Sequence, residues 1–450
     1  MHNSSRLSGP LLSLLSLSLG LGAADVAVRS SQEAPDNSAP ALNRASRRGG
    51  KTGPWLQLGK LTASGGVAGD QLGYSVAVSG NTVVVGVPYA IEGTNDQQGA
   101  VYVFTKPASG WGNMTQTAKL TASDGAVQDY FGYSVDITGN TVVVGAPNYS
   151  GNGSGAVYVF VKPSGGWVDM TQTAELTASD GQPGADLGWS VSIDGSTVAA
   201  GAPAASSYQG TAYVYARPSR GWANMTQTAE LTASAGLAGD ELGYSISASG
   251  STVVAGAAGF GEGQGAAYVF VEPATGWASM TETAELTASD GQPLDGIANS
   301  VSVSSNTVVA GAPYAYIAGH QYQGAAYVFA EPAAGWASMT ETAKLFAYKG
   351  QPDENLGYAV SVSGNTVVAG APGVTLGSNT GQGAAYVFVK PANGWQTTAS
   401  FKVKLISSDG SAYDAFGHSV SVATGTAVFG APGATIGGNT LQGAAYVFGP

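Results

Sequence analysis

Acidic side chains at short spacing are the first residues in this chain that could do chemistry. Asp124 and Asp129, Asp180 and Asp186, Asp290 and Asp295, and Asp409 and Asp414 recur as pairs. Paired carboxylates can hold a cation, or divide acid and base roles between them. Each pair, however, opens on Asp-Gly, a turn signal in which Asp bonds its own backbone. The pattern also lapses at Gly65, Ala235 and Lys349. Turns are therefore the expected role, and no metal site is expected. The other catalytic inventory is thin. The histidines are His2, His320 and His418. His418 stands at a position otherwise filled by Tyr74, Tyr133, Trp189, Tyr244 and Tyr358, which marks it as a packing residue. His320 falls in a loop of varied sequence. No Ser/His/Asp set, metal-ligand cluster or phosphate-cradling loop emerges. The expectation is a protein that is not an enzyme and needs no cofactor; a carboxylate-dependent enzyme is the least favoured alternative.

A second group of residues suits recognition. Tyr89, Tyr149, Tyr208, Phe260, Tyr314, Tyr316 and Tyr322 lie in segments that differ in length and sequence: 89–98, 148–154, 204–209, 259–264, 314–323, 373–382 and 433–442. Aromatic rings beside Asn and Gln suit a glycan or a protein surface. The same rings could instead pack on their own scaffold, and the sequence leaves both readings open. Asn113, Asn148, Asn152 and Asn224 head Asn-x-Ser/Thr sequons and are candidate glycosylation acceptors.

These residues are spaced by a repeat. Phe131-Gly-Tyr-Ser-Val-Asp-Ile-Thr-Gly-Asn-Thr-Val-Val-Val-Gly-Ala-Pro147 reads as strand, two-residue turn, strand and stop. Its openings recur at Leu72-Gly73, Leu187-Gly188, Leu242-Gly243, Ile297-Ala298, Leu356-Gly357 and Phe416-Gly417. Its endings recur at Gly86, Gly201, Gly256, Gly311, Gly370 and Gly430. A period of this size signals a solenoid, propeller or array. After each ending comes one of the varied loops, then a third strand such as Gly99 to Phe104. A polar stretch such as Met114 to Leu120 reads as a half-exposed fourth strand, with a charge before its final Leu: Lys60, Lys119, Glu175, Glu230, Glu285, Lys344 and Lys404.

Four antiparallel strands, apolar on both faces except at one edge, describe a propeller blade. Seven repeats predict a seven-bladed all-β propeller over residues 54–450. An open β-solenoid is the runner-up, but it needs capping repeats and none is visible. The last repeat stops at Pro450 without a fourth strand, while residues 54–61 are a fourth strand without a blade. The N-terminal strand is therefore expected to complete the last blade and close the ring. Trp55, Trp111, Trp167, Trp222, Trp277, Trp336 and Trp395 would then form one set of packing residues.

Phe-Gly followed by Gly-Ala-Pro, seven times over, resembles the FG-GAP repeat family, known best from the β-propellers of integrin α-subunits. The close variant here looks like FG-GAP proteins outside the integrins. The resemblance covers residues 54–450 and implies the propeller fold and a binding or adhesion role. It does not carry over the calcium loops that integrin-type repeats place between the first two strands. Here those positions are short turns such as Ser79-Gly-Asn-Thr82 and Asp194-Gly-Ser-Thr197, with at most one carboxylate, and calcium needs six or more oxygens.

Residues 1–24 read as a secretory signal: Arg6, an apolar run from Leu11 to Leu21, then Gly22-Ala23-Ala24. Residues 25–53 read as a low-complexity linker or pro-segment, with Arg44 to Arg48 as a candidate processing site. The chain has no cysteine, so a thiolate metal site or a disulfide is excluded. The first 53 residues hold six of the 17 basic and three of the 29 acidic residues, so the remainder has 11 and 26, a net −15. That balance argues against nucleic acid and anionic membrane as partners. The expected protein is a secreted or cell-surface monomer that binds a glycan or an extracellular protein through the loops between its second and third strands. The alternative is a structural wall or matrix component without a discrete ligand.

Overall fold

A computed structural model describes residues 55–147 and 153–450. The expected signal and linker (residues 1–24 and 25–53), and the candidates Asn148, Tyr149 and Asn152, lie outside the described residues. The described chain folds into seven small sheets, one per repeat. In the second blade, Ser134–Thr138 pairs antiparallel with Thr141–Ala146, and Thr138 opposite Thr141 leaves Gly139-Asn140 as the turn. The second strand is buried along its whole length, because it is sandwiched between neighbouring blades on both faces. Ala156–Val161 and Ala174–Thr177 follow outward in order. Each inner strand packs against the next, and the seventh, Val420–Ala423, packs against the first, Val76–Ser79. The inner strands therefore form a closed ring about one axis.

Closure runs through the N-terminal strand as expected. Leu56–Thr62 lies antiparallel to Ala444–Gly449, from Leu56 opposite Gly449 to Leu61 opposite Ala445. Leu61 is fully buried there.

The FG and GAP motifs meet across each blade boundary. Gly145 of blade two lies so close to blade three that a Cβ on it would sit 1.9 Å from the carbonyl oxygen of Gly188. The same contact recurs between Gly201 and Gly243, Gly370 and Gly417, and, across the ring closure, Gly430 and Gly73. In five blades the Ser that follows the FG aromatic position fastens the joint: Ser75, Ser134, Ser190, Ser245 and Ser419 each donate Oγ to a carbonyl of the next blade, Ser134 to Gly188 O at 2.8 Å and Ser419 to Gly73 O at 2.8 Å, whereas blade six has Ala359 there. The FG glycine itself has φ near +90° (Gly188, +92°), where a side chain is strained. Only Ala298 departs, holding φ +66° in blade five.

The outer edge differs from the sequence expectation. The stretch read as one fourth strand divides in two. Ala118–Thr121 is the fourth strand of blade one. Met114–Thr115 instead pairs in parallel with Leu61 and Thr62, adding a fifth strand to the preceding blade. Side chains cause the detour. Asn113 Oδ1 accepts the Lys60 N–H at 2.8 Å, Gln116 Oε1 accepts the Ser64 N–H at 2.9 Å, and Thr117 Oγ1 accepts the Thr105 N–H at 2.9 Å. Five sheets gain a fifth strand this way and two remain four-stranded. The seven tryptophans form one packing set, one at each of the seven hydrophobic clusters between blades. The indole N–H of Trp111, Trp167, Trp222, Trp277, Trp336 and Trp395 is buried without a partner. Trp55 packs on the last blade's core in the same way.

Candidate functional site

The axis opens on the face that carries the loops between second and third strands. The residue after each FG position stands at the entry to an inner strand, one or two residues before it in six blades and inside it in blade four, so ring closure brings seven of them together. They are Tyr74, Tyr133, Trp189, Tyr244, Asn299, Tyr358 and His418, all half-buried. Together with inner-strand Ser134, Ser190, Ser245 and Ser300 they line one cavity of about 240 Å³. The rings lean on one another around the mouth. Tyr74 and Tyr133 lie 4.9 Å apart, Tyr133 and Trp189 4.7 Å, Trp189 and Tyr244 5.6 Å. His418 sits between Tyr74, at 4.9 Å, and Tyr358, at 5.0 Å. Asn299 breaks the aromatic series, and its Nδ2 donates to Tyr358 O at 3.0 Å. A larger hollow of about 360 Å³ lies at an outer strand edge, among Glu230, Thr232, Ser279, Met280 and Thr281. Its lining comes from two strand edges alone, whereas the axial cavity gathers residues from all seven blades, so the axial cavity is the stronger candidate.

The lining is uncharged. Burial pushes the Tyr74 and Tyr133 hydroxyls well above their usual range and the Tyr358 hydroxyl up to about 12. Burial lowers the His418 imidazole to about 4, so it is neutral at pH 7. Further along the inner strand of blade two, Asp136 stands where most blades have Ser. Its carboxylate accepts the Ile193 N–H at 2.8 Å, the Ser192 hydroxyl at 2.9 Å and its neighbour Ile137 N–H at 2.8 Å. Burial still pushes it up to about 6.

The sequence-predicted recognition residues divide. Tyr89 is half-buried and meets Tyr74 edge-on at 5.8 Å and Tyr130 at 5.6 Å, so it belongs to the mouth. Tyr314 and Tyr322 meet edge-on at 5.9 Å on blade five. Tyr314 is 40% exposed and lies outside the lining of the axial cavity. Tyr316 is the most exposed of the group, at 62%. Tyr208 is exposed on a short helical turn, Ala205–Tyr208. Phe260 packs edge-on against Tyr268 at 6.2 Å and joins the blade-four core, which makes it a packing residue. The loops themselves vary less than their sequences. Blades one, five, six and seven share one bridged turn, Glu92 with Asn95, Ile317 with His320, Leu376 with Asn379 and Ile436 with Asn439. The sequence groups Tyr74, Tyr133, Trp189, Tyr244, Tyr358 and His418 as one packing position; missed were Asn299 in the same series and the convergence of all seven on the axis. The signal was there: a residue at the entry to the inner strand in every repeat of a closed ring must face the axis.

The acidic pairs serve turns. Asp129, Asp295 and Asp414 each accept the N–H three residues earlier, at 2.6, 2.9 and 2.8 Å. Asp290 bonds Lys344 Nζ at 2.8 Å and the Tyr327 hydroxyl at 3.0 Å, and Asp409 bonds Lys60 Nζ at 2.7 Å and the Tyr446 hydroxyl at 2.9 Å. Burial would raise both carboxyls, but these bonds outweigh it and hold them below the usual range. In blades two and three the Lys is replaced by Glu175 and Glu230, which burial and then the facing Asp124 and Asp180 push upward. No cluster of three metal-ligating side chains occurs among the described residues. His320 Nδ1 sits 2.6 Å from Gly350 O and ties its loop to the next blade. The sequon residues Asn113 and Asn224 are exposed, yet their Oδ1 atoms accept the Lys60 and Glu175 N–H groups across blade edges.

No curated protein matches the chain. A family model described as FG-GAP repeat matches residues 55–104, 114–160, 170–215, 225–270, 280–329, 339–388 and 400–448. Each matched segment carries the two motifs whose contact joins the blades, and the chain belongs to the FG-GAP repeat family.

Proposed function

We propose that the chain is an exported, non-catalytic binding or adhesion module that recognises a glycan or an extracellular protein surface. The FG-GAP propeller is a fold typical of binding and adhesion modules, but a fold alone does not fix a function. The observation that carries the reading is the convergence of seven residues at the inner-strand entries on one aromatic mouth, on the same face as the exposed Tyr314, Tyr316 and Tyr322. Rings that are only half-buried, held on a rigid ring of sheets, are what a recognition site needs. The net charge of the repeats disfavours nucleic acid. No helix among the described residues is long and apolar enough to cross a membrane.

The test is a glycan and extracellular-protein array probed with the full chain. The variant Tyr89→Ala/Tyr314→Ala/Tyr316→Ala should lose the captured ligand while its melting temperature barely moves. Turn variants on the opposite face, Asn81→Ala/Asn365→Ala, should keep it. Bulk retention in wall fractions without any saturable ligand would support the structural alternative instead.

A further inference from the structure

The axial mouth is chemically specific enough to name what enters it. Its volume, about 240 Å³, falls below the roughly 300 Å³ at which sites for drug-sized ligands begin. It therefore has room for one ring and not for an extended chain. Its lining holds no Lys, Arg, Asp or Glu. An anion would want charge-assisted donors, and the one candidate, His418, is neutral at pH 7. A cation is attracted to aromatic faces but is held best with a free carboxylate beside it. The carboxylate placed further along the inner strand, Asp136, is outside the lining and is taken up by three donors of its own. What remains is an uncharged ligand with an apolar face and a polar rim. Aromatic rings cover the first, and phenol hydroxyls and the Asn299 amide oxygen meet the second.

We infer that the axial mouth binds a single neutral, polyhydroxylated ring, the terminal pyranose of a glycan. This deepens the proposed function and rests on its assignment of the recognition face. Asn299 has a particular part. A ring of seven aromatics would present the same surface all round, and the gap between Tyr244 and Tyr358 gives the ligand one orientation.

The experiment is calorimetric titration of the full chain with a panel of methyl glycosides: glucose, galactose, mannose, N-acetylglucosamine and fucose. At least one should bind saturably, in the millimolar range suited to so small a ligand, and binding should not respond to salt. Trp189→Ala, which removes a ring, and Asn299→Tyr, which fills the gap, should each weaken it about tenfold or more. Melting temperatures near that of the parent confirm that both variants fold. A chain that binds no glycoside overturns the inference. So does glycoside binding that both folded variants retain, because the site is then elsewhere. Salt-sensitive capture of methylammonium, acetate or a basic peptide at the mouth in place of a glycoside also overturns it. In that last case the recognition face still stands, because the array test reads the face without assuming a sugar.

Discussion

Replacing Gly145 by Ala tests why the two motifs occur together. The new Cβ would sit 1.9 Å from Gly188 O and 2.4 Å from Ser134 Oγ. Neither neighbour can retreat freely. The Gly188 N–H donates to Gly201 O at 3.0 Å, and Gly188 O accepts Ser134 Oγ at 2.8 Å. Blades two and three must part, or the serine bond must break. Overpacking costs about 1–3 kcal/mol, and one lost hydrogen bond adds about 0.5–1.5 kcal/mol. The sum is about 1.5–4.5 kcal/mol. Two other glycines serve as controls. Gly165→Ala meets nothing within 4 Å and has no positive φ, so it should stay within about 0.5 kcal/mol of the parent. Gly139→Ala also meets nothing but has φ +54°, so it should cost about 1–2 kcal/mol from backbone strain alone. Urea unfolding followed by circular dichroism ranks the three. If Gly145→Ala unfolds with Gly165→Ala, the close approach is not what requires glycine there.

Three further outcomes follow from the same geometry. Deleting residues 54–61 removes the buried Leu61 and uncovers Ala444–Gly449; loss of one large buried side chain costs about 2–5 kcal/mol, so the melting temperature should fall sharply, and an unchanged value would refute closure by this strand. Chelation should leave folding unchanged, and a fall in melting temperature with EDTA that calcium reverses would show that the acidic turns hold a cation after all. Burial raises the Asp186 carboxyl from 3.8 to about 7, so its contribution to stability is full below pH 3.8 and is lost as pH rises through about 7. Asp186→Asn should therefore stabilise the chain at pH 8, by up to about 4 kcal/mol, and give no gain at pH 3.5; an equal effect at both pH values would contradict the linkage.

The blades were legible because the repeat states each signal seven times. The apolar run Val83 to Val85 and the Gly139-Asn140 turn fix the hairpins locally, and the orphan strand at Leu56 to Leu61 announces ring closure. The latch between blades was not legible. Met114 to Leu120 alternates like one continuous strand, and only hydrogen bonds from Asn113 and Gln116 to residues about 50 positions earlier divide it. The axial mouth was hidden for a related reason. Tyr74, Trp189, Asn299 and His418 lie in separate repeats, and each alone reads as packing; only closure makes them one surface. The helical turns at Ala205–Tyr208 and Phe260–Gly263 were also unforeseen, because they depend on left-handed backbone at Ser206, Ser207, Gly261 and Glu262.

Hydrogen–deuterium exchange of the full chain, with and without the ligand captured on the array, tests the recognition face most directly. Protection should concentrate where inner strands begin, around Tyr74, Tyr133, Tyr244, Asn299 and His418, and in the blade-five loop around Tyr314 and Tyr316. The turns at Gly80-Asn81, Gly139-Asn140 and Gly364-Asn365 on the opposite face should exchange as before. Protection confined to those turns, or to the outer Met-Thr strands, would contradict the account.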